Sequence, residues 1–281
     1  MKQSILILFL ALLAVQSQAQ CTQSCCSKNS ATAAFAALGS DVNFQNAHEA
    51  PLEINYAAMG RMITFPTPDG KTGGAYYIPA KKQTKNYLFV FQENWGLNDW
   101  IKKQSDLFAD SLPNVNIIAI DLYDGKVAKT SDEAMKFMQA CDQTRLQNII
   151  KGAVQFTGEN SKIATVGWCF GGGWSLQAAL IAGSHTTGCV MFYGMPETDA
   201  SKLKGLNSDV LFIWADKDQW INEQVKNDFV KNMNTAGKQL IVKQYDADHA
   251  FANPSNPHYD KQNGDDATKV AITYLRKHFP A

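Results

Sequence analysis

Cys169 lies among glycines in the run "ATVGWCFGGGWS", where an apolar, strand-like stretch gives way to a helical one. A G-x-C-x-G pattern at such a turn is the setting of a nucleophile elbow. The backbone at the reactive residue is strained there, and flanking glycines remove the Cβ atoms that would clash. The glycines do not form a phosphate loop, since neither G-x-x-x-x-G-K-[ST] nor G-x-G-x-x-G is present. An inert buried thiol is the plainer alternative, and the position at the turn counts against it.

A thiol nucleophile needs a base to take its proton and a carboxylate to hold that base in one tautomer. Of the five histidines, His249 in "LIVKQYDADHAFAN" directly follows a strand-like run, whereas His48, His185 and His278 are expected at the surface. Asp216 and Asp218 in "LFIWADKDQWI" also follow a strand, and either is a candidate to orient the histidine. Acyl transfer further requires hydrogen-bond donors for the developing oxyanion, and the backbone N–H of Phe170, next to the nucleophile, is one.

The elements that must position these groups are legible from periodicity. "RMITFPTPDGKTGGAYYIPA" contains two alternating runs around glycine-rich turns, an antiparallel hairpin. Six apolar runs follow: "NYLFVFQE", "VNIIAIDL", "KIATVGWC", "TGCVMFYG", "DVLFIWAD" and "QLIVKQYD". Helical patterns lie between them, including one long helix expected from Ser131 to about Phe156, a stripe at Val225, Phe229, Val230 and Met233, and a final helix carrying Ala267, Val270, Ala271, Tyr274 and Leu275. Alternating strands and helices predict an α/β fold with a mostly parallel central sheet and helices on both faces. Sites in such sheets gather beyond the carboxyl ends of the strands. The chain order of nucleophile, acid and histidine is that of the α/β-hydrolase fold.

Residues 1–19 read as an export signal, with Lys2 ahead of an apolar run, Ile5 to Val15, too short to span a bilayer, and small residues Ser17 and Ala19 before the cleavage point. The mature protein is expected to be periplasmic or extracellular; lipid attachment at Cys21 is the alternative. Residues 20–60 read as an extension bearing Cys21, Cys25 and Cys26, and 61–281 as the hydrolase-like domain. Cys141 and Cys189 are expected to be small core residues. With 26 basic and 26 acidic residues, the chain has no electrostatic footprint for nucleic acid. No transmembrane span follows the leader, no cofactor or metal is expected, and the assembly is expected to be a monomer or small homo-oligomer.

From about Met62 to the C-terminus the chain resembles the dienelactone hydrolase family. "GWCFGGG" is similar to that family's cysteine elbow, "DKDQWI" to its acid segment and "DHAFAN" to its histidine segment. The resemblance selects Asp218 over Asp216 and implies a Cys169, His249 and Asp218 triad. "FQENWGLNDWI" resembles the strand-end segment whose glutamate, here Glu93, contacts the resting cysteine, and the match points to the backbone N–H of Asn94 as the second oxyanion donor. The implied activity is hydrolysis of carboxylic esters or lactones through a thioester acyl-enzyme. Two arginines grip the substrate carboxylate in the best-known diene-lactone enzymes; their positions here hold Gly125, with Lys126 adjacent, and Asn253. Tyr123, Lys126, Trp95, Trp168 and Phe251 are the candidate substrate-lining residues. A non-catalytic binding protein on the same fold is the alternative function.

Overall fold

The computed structural model describes residues 30–279; the leader and Cys21, Cys25 and Cys26 lie outside them. The hairpin forms as β1 (Arg61–Pro66) and β2 (Thr72–Ile78), and each of the six apolar runs becomes a strand: β3 (Asn86–Phe91), β4 (Asn116–Asp121), β5 (Lys162–Trp168), β6 (Thr186–Phe192), β7 (Val210–Ala215) and β8 (Leu240–Tyr245). They form one sheet in the order β1-β2-β4-β3-β5-β6-β7-β8. Pairing is antiparallel for β1 with β2 and β2 with β4, and parallel from there to β8. Every residue of β4 and β7 is buried, as a strand covered on both faces requires, whereas β8 closes the edge and is half exposed.

The helices are α1 (Ala31–Ala37), α2 (Val42–Asn46), α3 (Asp99–Ser111), α4 (Ser131–Gln139), α5 (Gln143–Thr157), α6 (Phe170–Ala182), α7 (Ala200–Leu203), α8 (Glu223–Thr235) and α9 (Lys261–His278). Successive residues of a strand face opposite sides of a sheet. On β6, Cys189 points to Ser175 of α6, while a Cβ on its neighbour Gly188 would meet Tyr274 and His278 of α9. Helices α6 and α9 therefore cover opposite faces. Among the described residues, no helix is long and apolar enough to cross a membrane.

One helix differs from expectation. The long helix expected after Ser131 is two, because Asp142 takes an extended backbone and its carboxylate accepts from the N–H of Thr144 at 2.9 Å, capping a new start. Cys141 sits half-buried at this corner. Helix α3, which the sequence pattern did not suggest, is capped by Asn98, whose side chain accepts from Ile101 N–H at 3.1 Å. Its Ile101, Ser105 and Phe108 are buried under a polar exterior.

The segment ahead of β1 is folded onto the rest. Helices α1 and α2 lead to His48, and an extended run follows, tied down by Trp100 Nε1 donating to Leu52 O at 2.6 Å and by Tyr56 donating to Asp106. Thr32 donates to Gln143 at 2.6 Å and Trp220 Nε1 to Asp41 at 3.2 Å. The segment thus lies across loops at the carboxyl end of the parallel sheet.

Candidate active site

Cys169 leaves β5 with φ 55° and ψ −120°, a backbone that residues with a Cβ rarely adopt, and α6 begins at the next residue. The surrounding glycines permit this. A Cβ on Gly167 would sit 2.1 Å from Gly171 O, and one on Gly171 would sit 2.2 Å from Gln92 O. Cys169 N–H donates to Phe192 O at 3.0 Å, fixing the turn to the end of β6.

The loops after β7 and β8 bring Asp218 and His249 together. One carboxylate oxygen of Asp218 accepts from the backbone N–H groups of Trp220 and Ile221, each at 2.9 Å. The other meets His249 Nδ1 at 2.5 Å, with both side chains buried. This partner fixes Nδ1 as the protonated nitrogen and leaves Nε2 with its lone pair free. Nε2 is buried and has no hydrogen-bond partner among the described residues. A ring nitrogen of His249 lies within 4.8 Å of Cys169 Sγ. Asp216, the other candidate, instead accepts from Gln244 at the exposed β8 edge at 2.9 Å.

Glu93 follows β3 and is buried, accepting from Asn253 Nδ2 at 2.5 Å and from Tyr193 OH at 3.4 Å. Burial pushes its carboxyl up to about 7, opposed by the electrostatic effect of the neighbouring His249 ring and by these two donors. The Cys169 thiol is pushed well above its ordinary range by burial first and by the charge of Glu93 second; the backbone N–H groups of Phe170 and Asn94 favour the thiolate. The two groups expected to hold an oxyanion are thus the ones that oppose the rise. No hydrogen bond joins Glu93 to Cys169; the glutamate acts on the thiol through its charge.

The profile of the dienelactone hydrolase family matches residues 73–279. The chain belongs to that family. Protein usf of Aquifex pyrophilus is 29% identical over 233 residues, covering 78% of this chain and 99% of that one. Carboxymethylenebutenolidase 1 of Cupriavidus pinatubonensis is 22% identical over 227 residues, covering 74% and 92%. Among solved structures, a dienelactone hydrolase-like promiscuous phosphotriesterase from metagenomic libraries superposes with a TM-score of 0.65 at 19% identity, covering 80% of this chain and all of that one. The chain has the α/β-hydrolase fold, and this dienelactone hydrolase family member is an ester or lactone hydrolase.

The segment covering its site lies ahead of the family match. His48, expected at the surface, is 2% exposed. Its Nδ1 donates to Phe44 O at 2.6 Å, so its Nε2 is the acceptor that faces Cys169 Sγ at 3.5 Å. Burial and the neighbouring His249 hold His48 down to about 3, so its imidazole is neutral. Phe44 stacks on His48 with ring centroids 4.1 Å apart and packs edge-on against Trp220 at 5.1 Å. Cys169 is fully buried beneath this cap. Of the other two histidines expected at the surface, His185 Nδ1 pairs with Ser161 Oγ at 2.9 Å, and His278, partly buried, pairs with Asp209 at 2.8 Å.

The candidate lining residues of this hydrolase divide between two places. Trp95 and Trp168 border a small cleft beside Glu93 and Asn253. Tyr123 and Lys126 border a different depression with Phe137 and Arg145. Phe251 is buried, with its ring 5.7 Å from that of Tyr193 and 5.1 Å from that of Tyr245. Sequence reasoning missed Tyr193 and His48. Tyr193 had a signal, the carboxyl end of β6; His48, before any periodic element, had none.

Proposed function

We propose that the chain hydrolyses carboxylic esters or lactones through a thioester on Cys169. In this reading Sγ attacks the carbonyl carbon as its proton passes to His249 Nε2, and the oxyanion is held by the N–H groups of Phe170 and Asn94. Collapse of the tetrahedral species breaks the ester C–O bond. His249 returns the proton to the departing alkoxide, which stays tethered to the acyl group if the substrate is a lactone. Water, deprotonated by His249, then attacks the thioester; the carboxylic acid departs and the thiol is restored. Asp218 keeps His249 in the required tautomer throughout. The observation that carries the reading is the free Nε2 of His249, fixed by the bond from its Nδ1 to Asp218 and facing a cysteine on a strained elbow.

Substrate class is narrowed by two residues. Asn253, where the best-known diene-lactone enzymes place an arginine, is committed to Glu93, and the Lys126 ammonium lies 5.7 Å over the Phe137 ring. Neither offers a bidentate clamp for a carboxylate. Uncharged aryl esters and simple lactones are therefore the proposed substrates. Burial of the nucleophile means that turnover requires Phe44 and His48 to move aside. We further propose that residues 1–19 are removed on export and that the enzyme works in the periplasm or outside the cell.

The test is hydrolysis of a panel of aryl esters and lactones by wild type and Cys169→Ala. Loss of turnover in the variant, with trapping of an acyl adduct on Cys169 by mass spectrometry, is the expected result. Undiminished activity in Cys169→Ala would remove the thiol mechanism. Complete burial of Cys169 favours one competing reading of the thiol, a residue that takes no part in turnover. Rapid alkylation of Cys169 by iodoacetamide, slowed by substrate analogues, together with turnover, decides against it.

A further inference from the structure

His48, Cys169 and His249 place two imidazole nitrogens and one sulfur within 4.8 Å of one another, all three residues buried. We infer that this group is a metal site for an ion of the zinc class, and that its occupation switches the hydrolase off. The inference rests on the thiol mechanism proposed above, because the ion would take the sulfur that the reaction needs.

Both imidazoles are in the state a metal requires, and the thiol gives up its proton on binding. Zinc binds neutral imidazole and thiolate, and a ligating histidine usually donates its other N–H to a carboxylate or a backbone carbonyl, which fixes the ring and aims the free nitrogen. Both arrangements are present: His249 donates from Nδ1 to Asp218, and His48 donates from Nδ1 to Phe44 O. The two Nε2 atoms are thereby left as acceptors. That of His249 is buried with no partner among the described residues, while that of His48 meets only the thiol. Zinc–nitrogen and zinc–sulfur bonds of about 2.0 and 2.3 Å at a tetrahedral angle put N and S about 3.5 Å apart. The His48 Nε2 to Cys169 Sγ distance is 3.5 Å.

Binding balances simply. The divalent ion displaces one proton, that of the thiol, to solvent and forms two bonds to nitrogen and one to sulfur; no redox change is involved. Two nitrogens and one thiolate leave a fourth position for a small ligand. In the metal-bound state the sulfur lone pair and His249 Nε2 are both engaged, so neither attack nor proton transfer can start. His48 comes from the cap and the other two ligands from the fold beneath, so the ion would also fasten the cap shut.

The experiment uses the full chain with Cys21, Cys25 and Cys26 changed to Ser, so that those thiols add no sites. Cobalt(II) and zinc are titrated after chelator treatment, and three readouts are taken: the thiolate-to-cobalt charge-transfer band, the zinc-induced rise in Tm, and ester hydrolysis. The expected result is one ion per chain, a charge-transfer band lost in Cys169→Ala, and activity abolished by equimolar zinc and restored by chelator. His48→Ala and His48→Gln should weaken the ion's binding by at least the roughly 10- to 100-fold that loss of an outer-shell partner costs, so that whatever activity each variant has no longer responds to that zinc concentration. The glutamine side chain keeps an acceptor and much of the volume, which guards against a variant that only loosens the cap. Equal zinc sensitivity in wild type and both His48 variants would overturn the site, as would absence of the band. An active enzyme without metal binding refutes the site alone. A Cys169- and His48-dependent band in a protein with no hydrolytic activity refutes the hydrolase mechanism alone.

Discussion

At the scale of single residues, the chemistry depends on which nitrogen of each imidazole carries a proton. Asp218 sets this for His249, and changing Asp218 to Asn offers an amide that can donate to Nδ1 and stabilise the opposite tautomer, with Nε2 protonated and useless as a base. Such tautomer inversion lowers kcat on the order of 10³- to 10⁴-fold in hydrolases of this logic. The expected outcome for Asp218→Asn is a loss of that size with KM little changed, measured by steady-state kinetics on an aryl ester. A fall of less than tenfold would mean that the carboxylate does not orient the base. Cys169 and His249 stood out because each follows a strand whose pattern is written in the sequence; the strand pattern left Asp216 and Asp218 equal, and only the family resemblance chose between them. His48 was not legible, since it has no flanking glycine or periodic element and meets the sulfur only through the packing of Phe44.

At the scale of elements, the parallel strands were legible in full because burial on both faces demands unbroken apolar runs. The break between α4 and α5 was not, because it turns on whether Asp142 continues a helix or caps one, and both uses suit an aspartate. Nor was the placement of α1 and α2. Their sequence is alanine-rich and weakly patterned, and their fixed position comes from Phe35 and Phe44, 1% and 0% exposed against rings of the fold beneath. Phe44 joins His48 to Trp220, so Phe44→Ala should release the cap. Truncating a buried Phe typically costs 3–5 kcal/mol. If that loss falls on docking of the cap rather than on the sheet, opening becomes at least tenfold more frequent. The expected readout is at least tenfold faster iodoacetamide labelling of Cys169 with the main unfolding transition little moved. Slower or unchanged labelling would show that the cap does not control access.

At the scale of the whole molecule, two buried groups oppose each other in pH. Glu93, held up to about 7 in the folded protein against an ordinary 4.5, keeps its proton where the unfolded chain has lost it. It thus removes stability as pH rises from about 4.5 to about 7. His48, held down to about 3 from 6.5, stays neutral where the unfolded chain is protonated, so it removes stability as pH falls from 6.5 towards 3. Each slope is about 1.4 kcal/mol per pH unit at most, and between 4.5 and 6.5 they oppose. Urea unfolding in chelator should therefore show a shallow dependence there for wild type. Glu93→Gln should leave a steeper loss towards acid, and His48→Gln a loss towards neutral pH; parallel curves for all three proteins would rule the account out. A last consequence concerns the order of assembly. Phe35 and Phe44 leave the ribosome early, yet the surface they close is built by Phe170, Trp220 and His249, supplied by the later part of the chain. Contacts so distant in sequence form late. The segment made first thus cannot close over the site until the rest of the chain has been made, and until then the sulfur is open to solvent.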